Sequence, residues 1–366
     1  MRLLHTSDWH LGHALKDVPR DAEHAAFLAW LLETCAREKP DALLITGDVF
    51  DSATPPASAE RMWFEFLAAC KVKVVAIAGN HDSPARLGAA SPVLAELGVT
   101  IVGGGWQVVD VGGAVIAAVP FLRAIELPDG DDPMAQIYAS AIAEATAVAA
   151  GRPVIATGHL YATGADPSHL SERRISIGGQ ESASLRMFPE TLAYVALGHM
   201  HRAQRVGRDS IRYAGAPIPL ALDESSYKHS VVLWEDGAIR LLPIPRLIDV
   251  MQIRGNVVQV LAEIAMLPSG ADPLRPYLEI IVRLDKPEPR LRAQIETALD
   301  GKRARLVRLA TEATGHGEAL AERTAASRLA ELDPRDVFRQ CWSRQHADAP
   351  PADVLAAFDR LLEVVA

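Results

Sequence analysis

Five short apolar runs in this chain end in side chains that can bind a metal ion or move a proton. Arg2-Leu-Leu-His-Thr-Ser leads into Asp8-Trp9-His10, and Asp41-Ala-Leu-Leu-Ile-Thr-Gly leads into Asp48-Val-Phe-Asp51. Val72-Lys-Val-Val-Ala-Ile-Ala-Gly leads into Asn80-His81-Asp82. Pro153-Val-Ile-Ala-Thr-Gly ends at His159, and Tyr194-Val-Ala-Leu-Gly at His199-Met200-His201. Each run is aliphatic and partly β-branched, as strands are. In α/β sheets, ligand sites form outside the carboxyl ends of the strands, where loops from several strands converge.

The eight residues Asp8, His10, Asp48, Asn80, His81, His159, His199 and His201 supply oxygen and imidazole nitrogen and no thiolate. That donor set suits Mn²⁺, Fe²⁺ or Zn²⁺. It is more than one ion with an open position needs. It is enough for two ions that share a carboxylate, with one imidazole left over. Any one of these residues could instead be a satisfied loop group: Asp8 or Asp48 a helix cap, Asn80 a turn residue, a histidine hydrogen-bonded in the core. Ordinary caps have no reason to recur on five elements of one type.

In this order, Asp-x-His, Gly-Asp-x-x-Asp, Gly-Asn-His-Asp, Gly-His and Gly-His-x-His resemble the calcineurin-type metallophosphoesterase superfamily. Within it the chain is most similar to the SbcD nuclease-subunit branch, the bacterial relatives of the Mre-type repair nucleases. Thr6-Ser-Asp-Trp-His-Leu-Gly12, Gly47-Asp-Val-Phe-Asp51, Ser171-Glu-Arg-Arg-Ile-Ser-Ile-Gly-Gly179 and Tyr213-Ala-Gly-Ala-Pro217 carry that narrower resemblance. It implies an α/β (α+β) fold: a four-layer β-sandwich flanked by helices, a small α/β capping domain and a C-terminal helical tail. It also implies a two-metal DNA nuclease, acting on double-stranded ends and on single strands or hairpins, in repair, replication and recombination. Carried over by motif, Asp8, His10 and His201 hold one ion, Asn80, His159 and His199 the other, and Asp48 both. His81 becomes the catalytic histidine. Mn²⁺ is the first choice of metal, with Fe²⁺, Zn²⁺ and Mg²⁺ as alternatives. The implied partners are DNA and an SbcC-type, SMC-like ATPase, with two copies of this chain in a heterotetramer. The sequence departs from the pattern at Asp51, where many relatives have histidine, and at Ala216, where serine is expected.

The elements that must position these residues follow from periodicity. Asp21–Glu38 predicts a helix, with Ala25, Leu28, Leu31, Leu32 and Cys35 at three- and four-residue steps and Pro40 closing it. Ser58 is the expected N-cap of a second helix carrying Met62, Trp63, Phe66, Leu67 and Cys70. Those aromatics read most simply as core; the resemblance adds Met62, Trp63 and Phe66 as homodimer contacts. A helix with Val93, Leu94 and Leu97 follows the third motif. Strands are expected at 99–102, 107–111 and 115–119, the last two a hairpin around Gly112-Gly113. Alternating runs from Val206 to Ile244 predict antiparallel strands. Pro243-Ile-Pro-Arg246 marks a boundary. After it, 249–254, 257–266, 277–284, 290–299 and 304–310 read β-α-β-α-β, without ligand clusters. Beyond Gly317 lie two amphipathic helices, one opened by Asp333-Pro334, too short to be stable unburied.

The expected domains are thus 1–243 (nuclease), 244–316 (capping) and 317–366. The last would dock the ATPase through Phe338, Trp342, Leu355, Phe358 and Leu362. Arg173 and Arg174 are candidates for DNA backbone contacts, against the plainer reading of a solvated loop.

Composition sets limits. The 366-residue chain has a net charge of −9, which argues against a broad electrostatic nucleic-acid surface. DNA contact must then come from a local patch, the metals or a partner. The charge equally fits a small-molecule metallophosphoesterase such as a cyclic-nucleotide phosphodiesterase, the alternative enzyme. A DNA-tethering scaffold is the non-enzymatic alternative. Cys35, Cys70 and Cys341 lie too far apart in sequence for a metal motif and point to a reducing cytoplasm. No apolar run reaches the ~18–20 residues of a membrane span.

Overall fold

The computed structural model describes residues 1–166, 182–270, 274–313, 334–345 and 349–365. By packing, 1–283 with 288–312 form one compact unit, and 284–287 with 313–366 a second. The first unit opens with β1 (Arg2–Thr6), a short hairpin β2–β3 (Ala14–Leu15, Val18–Pro19) and α1 (Asp21–Glu38). Next come β4 (Ala42–Thr46), α2 (Ala57–Ala69), β5 (Lys73–Ile77), α3 (Pro84–Leu87), α4 (Ser91–Ala95) and β6 (Val99–Val102). After these lie β7 (Gln107–Asp110), β8 (Val115–Ala118), α5 (Pro133–Ala149), β9 (Val154–His159) and β10 (Tyr194–Gly198). Strands β11 (Gln204–Val206), β12 (Arg208–Tyr213), β13 (Ser230–Glu235) and β14 (Ala238–Pro243) complete two six-stranded sheets, ordered β14-β13-β1-β4-β5-β6 and β11-β12-β10-β9-β8-β7.

The five motif-bearing strands lie in the parallel parts of these sheets. β1, β4, β5 and β6 run parallel in one, and β8, β9, β10 and β12 in the other. Side chains alternate across each strand, and both faces are covered. Leu3, Leu44, Val75 and Ile77 meet Ile116, Ala118, Ile155 and Ala196 between the sheets. The alternate residues Leu43, Ile45, Val74 and Ala76 pack with Phe27, Leu31, Trp63 and Phe66 of α1 and α2. Val115, Ala117, Ala156 and Val195 pack with Tyr138, Ala141 and Ala145 of α5. The result is the expected four-layer arrangement. Burial on both faces explains why these strands read as near-continuous apolar runs.

Several local expectations are corrected. α2 starts two residues earlier than Ser58 suggests, with Pro56 as N-cap and no side-chain cap. Trp63 and Phe66 are core residues, at 5.7 and 5.1 Å between ring centroids from Trp9, and half-buried Met62 packs on the same cluster. Trp63 and Phe66 are therefore not surface available for a homodimer contact; the exposed large apolar side chain of α2 is Phe64. The helix expected around Val93 is broken by Gly88 and Pro92 into α3 and α4, which leaves Val93 and Leu97 exposed. β12 pairs parallel with β10 and antiparallel only with β11, so the run at Ile211–Tyr213 is not part of a purely antiparallel region.

After Pro243, β15 (Val250–Asn256), α6 (Val257–Met266), β16 (Tyr277–Leu284), α7 (Leu291–Leu299) and β17 (Arg305–Ala313) follow, with strand order β15-β16-β17 and β15 parallel to β16. Asn256 and Gln259 form a capping box at the start of α6. The 243 boundary falls inside the first compact unit. There Leu15, Leu222, Ile248 and Tyr277 share one apolar cluster, and the Tyr277 hydroxyl donates to Glu23 Oε2 at 2.8 Å.

In the second unit, α8 (Pro334–Gln345) and α9 (Ala352–Val365) face each other through Phe338 and Phe358, stacked at 4.2 Å. Trp342 lies 6.0 Å from Phe338, and Arg335 donates to Asp359 at 2.7 Å. Part of the apolar face expected to dock a partner thus closes the helical pair. Among the described residues, no helix is long and apolar enough to cross a membrane.

Candidate metal centre

Sharp backbone turns at the strand ends aim the motif side chains. Asp8, His10, Asp48 and His199 have φ of 52°, 47°, 49° and 100°, a region that non-glycine residues rarely occupy and that clusters at functional sites. Backbone bonds hold the first two turns: Asp8 N to Gly47 O at 3.1 Å and His10 N to Asp48 O at 3.0 Å. Between Asp8 and His10, Trp9 turns the opposite way into the core and donates to Thr6 Oγ1 at 3.0 Å. The two sheets approach closely here. A Cβ at Gly198 would fall on the Thr46 carbonyl oxygen and Ser7 Oγ, and one at Gly79 on the Asp48 carboxylate.

The seven expected ligands meet. Donor atoms of Asp8, His10 and His201 lie within 4.8 Å of one another, as do those of Asp48, His159 and His199. Asn80 Oδ1 is 3.0 Å from His159 Nε2 and 3.1 Å from His199 Nδ1. Asp48 Oδ2 lies between the groups, 3.3 Å from His159 Nε2 and 3.5 Å from His10 Nε2. Spacings near 3 Å suit donors that bind one ion at ~2.1 Å and about a right angle. His10 Nε2 is buried without a hydrogen-bond partner, a condition that buried polar atoms normally avoid. The donor set and this bare nitrogen fit a pair of divalent cations.

Without an ion, the electrostatics favour the ligating forms of His10, His199 and Asp48, whereas His159 keeps a proton that a cation must displace. Burial pushes His10 down to about 4 and His199 to about 3, which leaves neutral imidazoles with lone pairs, the form that ligates. Burial, with the nearby Asp48 charge, raises Asp8 to about 6, against the pull of His159 and His201. Burial would also raise Asp48, but His159, His81 and His10 outweigh it and hold that carboxyl well below its usual range. Burial would lower His159, yet Asp48 carries it up to about 9. A buried carboxylate ringed by imidazoles is thus anionic, as a shared ligand must be.

Behind the donors sits a second set of contacts. His159 Nδ1 donates to Thr46 O at 2.9 Å, His10 Nδ1 to Asp51 Oδ1 at 3.0 Å and His201 Nδ1 to Glu224 Oε1 at 2.8 Å. Such partners fix the tautomer and direct Nε2 at the cation. His81 is half-buried at the rim. Its backbone N–H donates to Asp48 Oδ1 at 2.9 Å and its Nδ1 to Asp51 O at 2.8 Å, and its ring lies edge-on to His10, 4.8 Å between centroids. Asp82 accepts from Val49 N, Phe50 N and Gly79 N at 3.1, 2.9 and 2.9 Å, stitching the second and third motif loops together. Arg173 and Arg174 lie outside the described residues.

Sequence reasoning missed Glu224, His13 and the side-chain role of Asp51. Glu224 stands in Leu222-Asp-Glu-Ser-Ser226, a solvent-type composition with no spacing signal, yet it is fully buried. His13 repeats the imidazole of His10 at three residues, a signal that was present.

Residues 1–203 match the family model of the calcineurin-like phosphoesterases, and 246–346 match that of the type 5 capsule protein repressor C-terminal domain. The chain is similar to the SbcD subunit of the SbcCD nuclease of Rhodobacter capsulatus, at 35% identity over 93% of this chain and 92% of that one. It is 30% identical to the protein of the same name from Escherichia coli K12, over 95% and 94%. Among solved structures, a dimetal phosphatase from Danio rerio aligns at TM-score 0.41 and 12% identity over 67% of this chain and 99% of that one. TT1561 of Thermus thermophilus aligns at 0.40 and 14%, over 67% and 99%.

Proposed function

This chain belongs to the family of the SbcD subunits of SbcCD nucleases, within the calcineurin-like phosphoesterases, and on that premise we propose that it is the metal-dependent DNA nuclease of an SbcCD-type complex. The observation that carries the reading is the meeting of seven ligand-type side chains from five strand ends, with a further imidazole, His81, at their rim.

Asp8, His10 and His201 would hold one divalent ion, Asn80, His159 and His199 the other, and Asp48 both. Such a pair supplies Lewis-acid stabilisation and a nucleophile at neutral pH for phosphodiester hydrolysis. The neutral Asn80 oxygen limits the negative charge of its set. His81, with Nδ1 committed to the Asp51 carbonyl, presents Nε2 as the atom that gives a proton to the leaving alkoxide. Mn²⁺ is the ion we favour by the resemblance to the family; the donor set, which lacks thiolate and mixes carboxylate, amide and imidazole, suits Fe²⁺ and Zn²⁺ as well, and Mg²⁺ is the remaining alternative.

Residues 1–243 form the nuclease domain in this reading, 244–316 the capping domain that seats duplex DNA, and 317–366 the segment that docks an SbcC-type ATPase. Leu355 and Leu362 join Phe338, Trp342 and Phe358 on that docking pair. Two copies of the chain, with two of the ATPase, act in the cytoplasm in repair, replication and recombination. Arg173 and Arg174 contact the DNA backbone. With a net charge of −9, retention on DNA depends on the metals and the partner rather than on the whole surface.

With Mn²⁺, the SbcCD-type complex is expected to degrade linear duplex DNA. His81→Ala is expected to keep Mn²⁺ binding and lose at least ~10²-fold in rate. Undiminished hydrolysis by that variant would remove His81 from the mechanism. Cleavage of cyclic nucleotides with DNA left intact would replace the nuclease reading by the small-molecule one.

A further inference from the structure

The two imidazoles of the first ligand group, His10 and His201, are joined behind the site by a continuous run of hydrogen bonds. Asp51 Oδ1 accepts from His10 Nδ1 and from His13 Nδ1, both at 3.0 Å. His13 Nε2 faces the carbonyl of Leu220 at 3.0 Å; since both His13 partners only accept, the two bonds form together when both ring nitrogens carry hydrogen. The backbone N–H of the same Leu220 donates to Glu224 Oε2 at 2.7 Å, and Glu224 Oε1 accepts from His201 Nδ1 at 2.8 Å. The two imidazole rings close the circuit at 5.2 Å between centroids. None of Asp51, His13, Leu220 and Glu224 is among the seven donors.

We propose that Asp51, His13, Leu220 and Glu224 form a positioning belt that fixes the tautomer and direction of His10 and His201, so that both present Nε2 to one cation. The inference rests on the two-metal reading above. A neutral imidazole has one donor nitrogen and one acceptor nitrogen. A carboxylate only accepts, so Asp51 and Glu224 each place the proton on Nδ1 and leave the Nε2 lone pair for the metal. The bare Nε2 of His10 is the direct sign of this. Glu224 is fully buried, and its two oxygens face two N–H donors. An amide cannot serve both. In Glu224→Gln, one donor meets the amide NH₂, so the belt breaks either at Leu220, which frees the side chain that holds His201, or at His201 itself, where the proton moves to Nε2 and the ligand is lost. Asp51 differs, since one oxygen serves both its histidines. Asp51→Asn can keep that oxygen in place, whereas Asp51→Ala cannot.

The test is Mn²⁺ titration, by calorimetry and electron paramagnetic resonance, of the full chain and these variants without DNA, alongside hydrolysis over a range of Mn²⁺. Glu224→Gln and Asp51→Ala are expected to weaken one of two Mn²⁺ sites by ~10–100-fold, with hydrolysis recovering as Mn²⁺ is raised. Asp51→Asn is expected to cost less than Asp51→Ala. Independent of variant folding, ¹⁵N spectra of the ion-free wild type are expected to show His10 and His201 protonated at Nδ1. Two wild-type Mn²⁺ affinities in Glu224→Gln, or Nε2–H tautomers in the wild type, overturn the belt. A wild type that binds two Mn²⁺ but leaves DNA intact overturns the nuclease reading and not the belt.

Discussion

Asp82 illustrates how single residues here divide between chemistry and support. It stands beside the proposed acid His81 and could be read as its orienting carboxylate. It is buried instead under three backbone N–H groups from two motif loops. Burial and the Asp48 charge raise its pKa to about 6 against those bonds; the three backbone donors, not a contact to His81, define its structural role. Asp82→Ala strands three buried donors and is expected to destabilise the protein by at least ~2 kcal/mol. Denaturant titration of the ion-free protein measures this. A loss of rate without a loss of stability would return Asp82 to the chemistry. The orientation of His81 comes from the Asp51 carbonyl, which any residue type at 51 could supply; the Asp51 side chain serves His10 and His13.

At the scale of elements, the site depends on loops bent at left-handed positions and pinned by their neighbours. Trp9 is the pin of the first: fully buried, edge-on to Phe27, Trp63 and Phe66, it lets Asp8 and His10 turn together to the other side. Trp9→Ala is expected to cost ~3–5 kcal/mol and also to weaken Mn²⁺ binding. Unfolding and titration of that variant test the pairing, and full Mn²⁺ affinity in a destabilised variant would separate core from site. The strands, α1 and the side chains that meet at the strand ends were legible because apolar runs ending in polar groups leave a local pattern. α1, α6 and β16 match their expected ranges residue for residue. Apart from His13, the supports were not legible. Glu224 is brought to His201 by a 3₁₀ turn 23 residues on, and no local pattern encodes such a contact. The partner of β12 is set by sheet order, and the burial of Trp63 and Phe66 by packing on Trp9. Periodicity gives a face, not what covers it.

The whole molecule holds uncharged imidazoles in its interior as well as at the metal centre. Burial takes His5 down to about 3, against a backbone hydrogen bond, and takes His24, beside Arg20, to about 3. Both have ordinary values of 6.5 when unfolded. Between those limits the unfolded chain binds more protons than the folded one, so stability falls as pH drops below about 6.5 and continues to fall towards 3. The slope is at most ~1.4 kcal/mol per pH unit for each histidine. Urea unfolding of the ion-free protein at pH 7, 6 and 5 measures it, and a flat profile would mean that these histidines are hydrated or paired. The central claim concerns the metal centre itself. Anomalous X-ray scattering at the manganese edge from crystals grown with Mn²⁺ tests it most directly. Two peaks are expected, one against Asp8, His10 and His201, the other against Asn80, His159 and His199, with Asp48 touching both. A single peak, or none in this pocket under saturating Mn²⁺, would contradict the account.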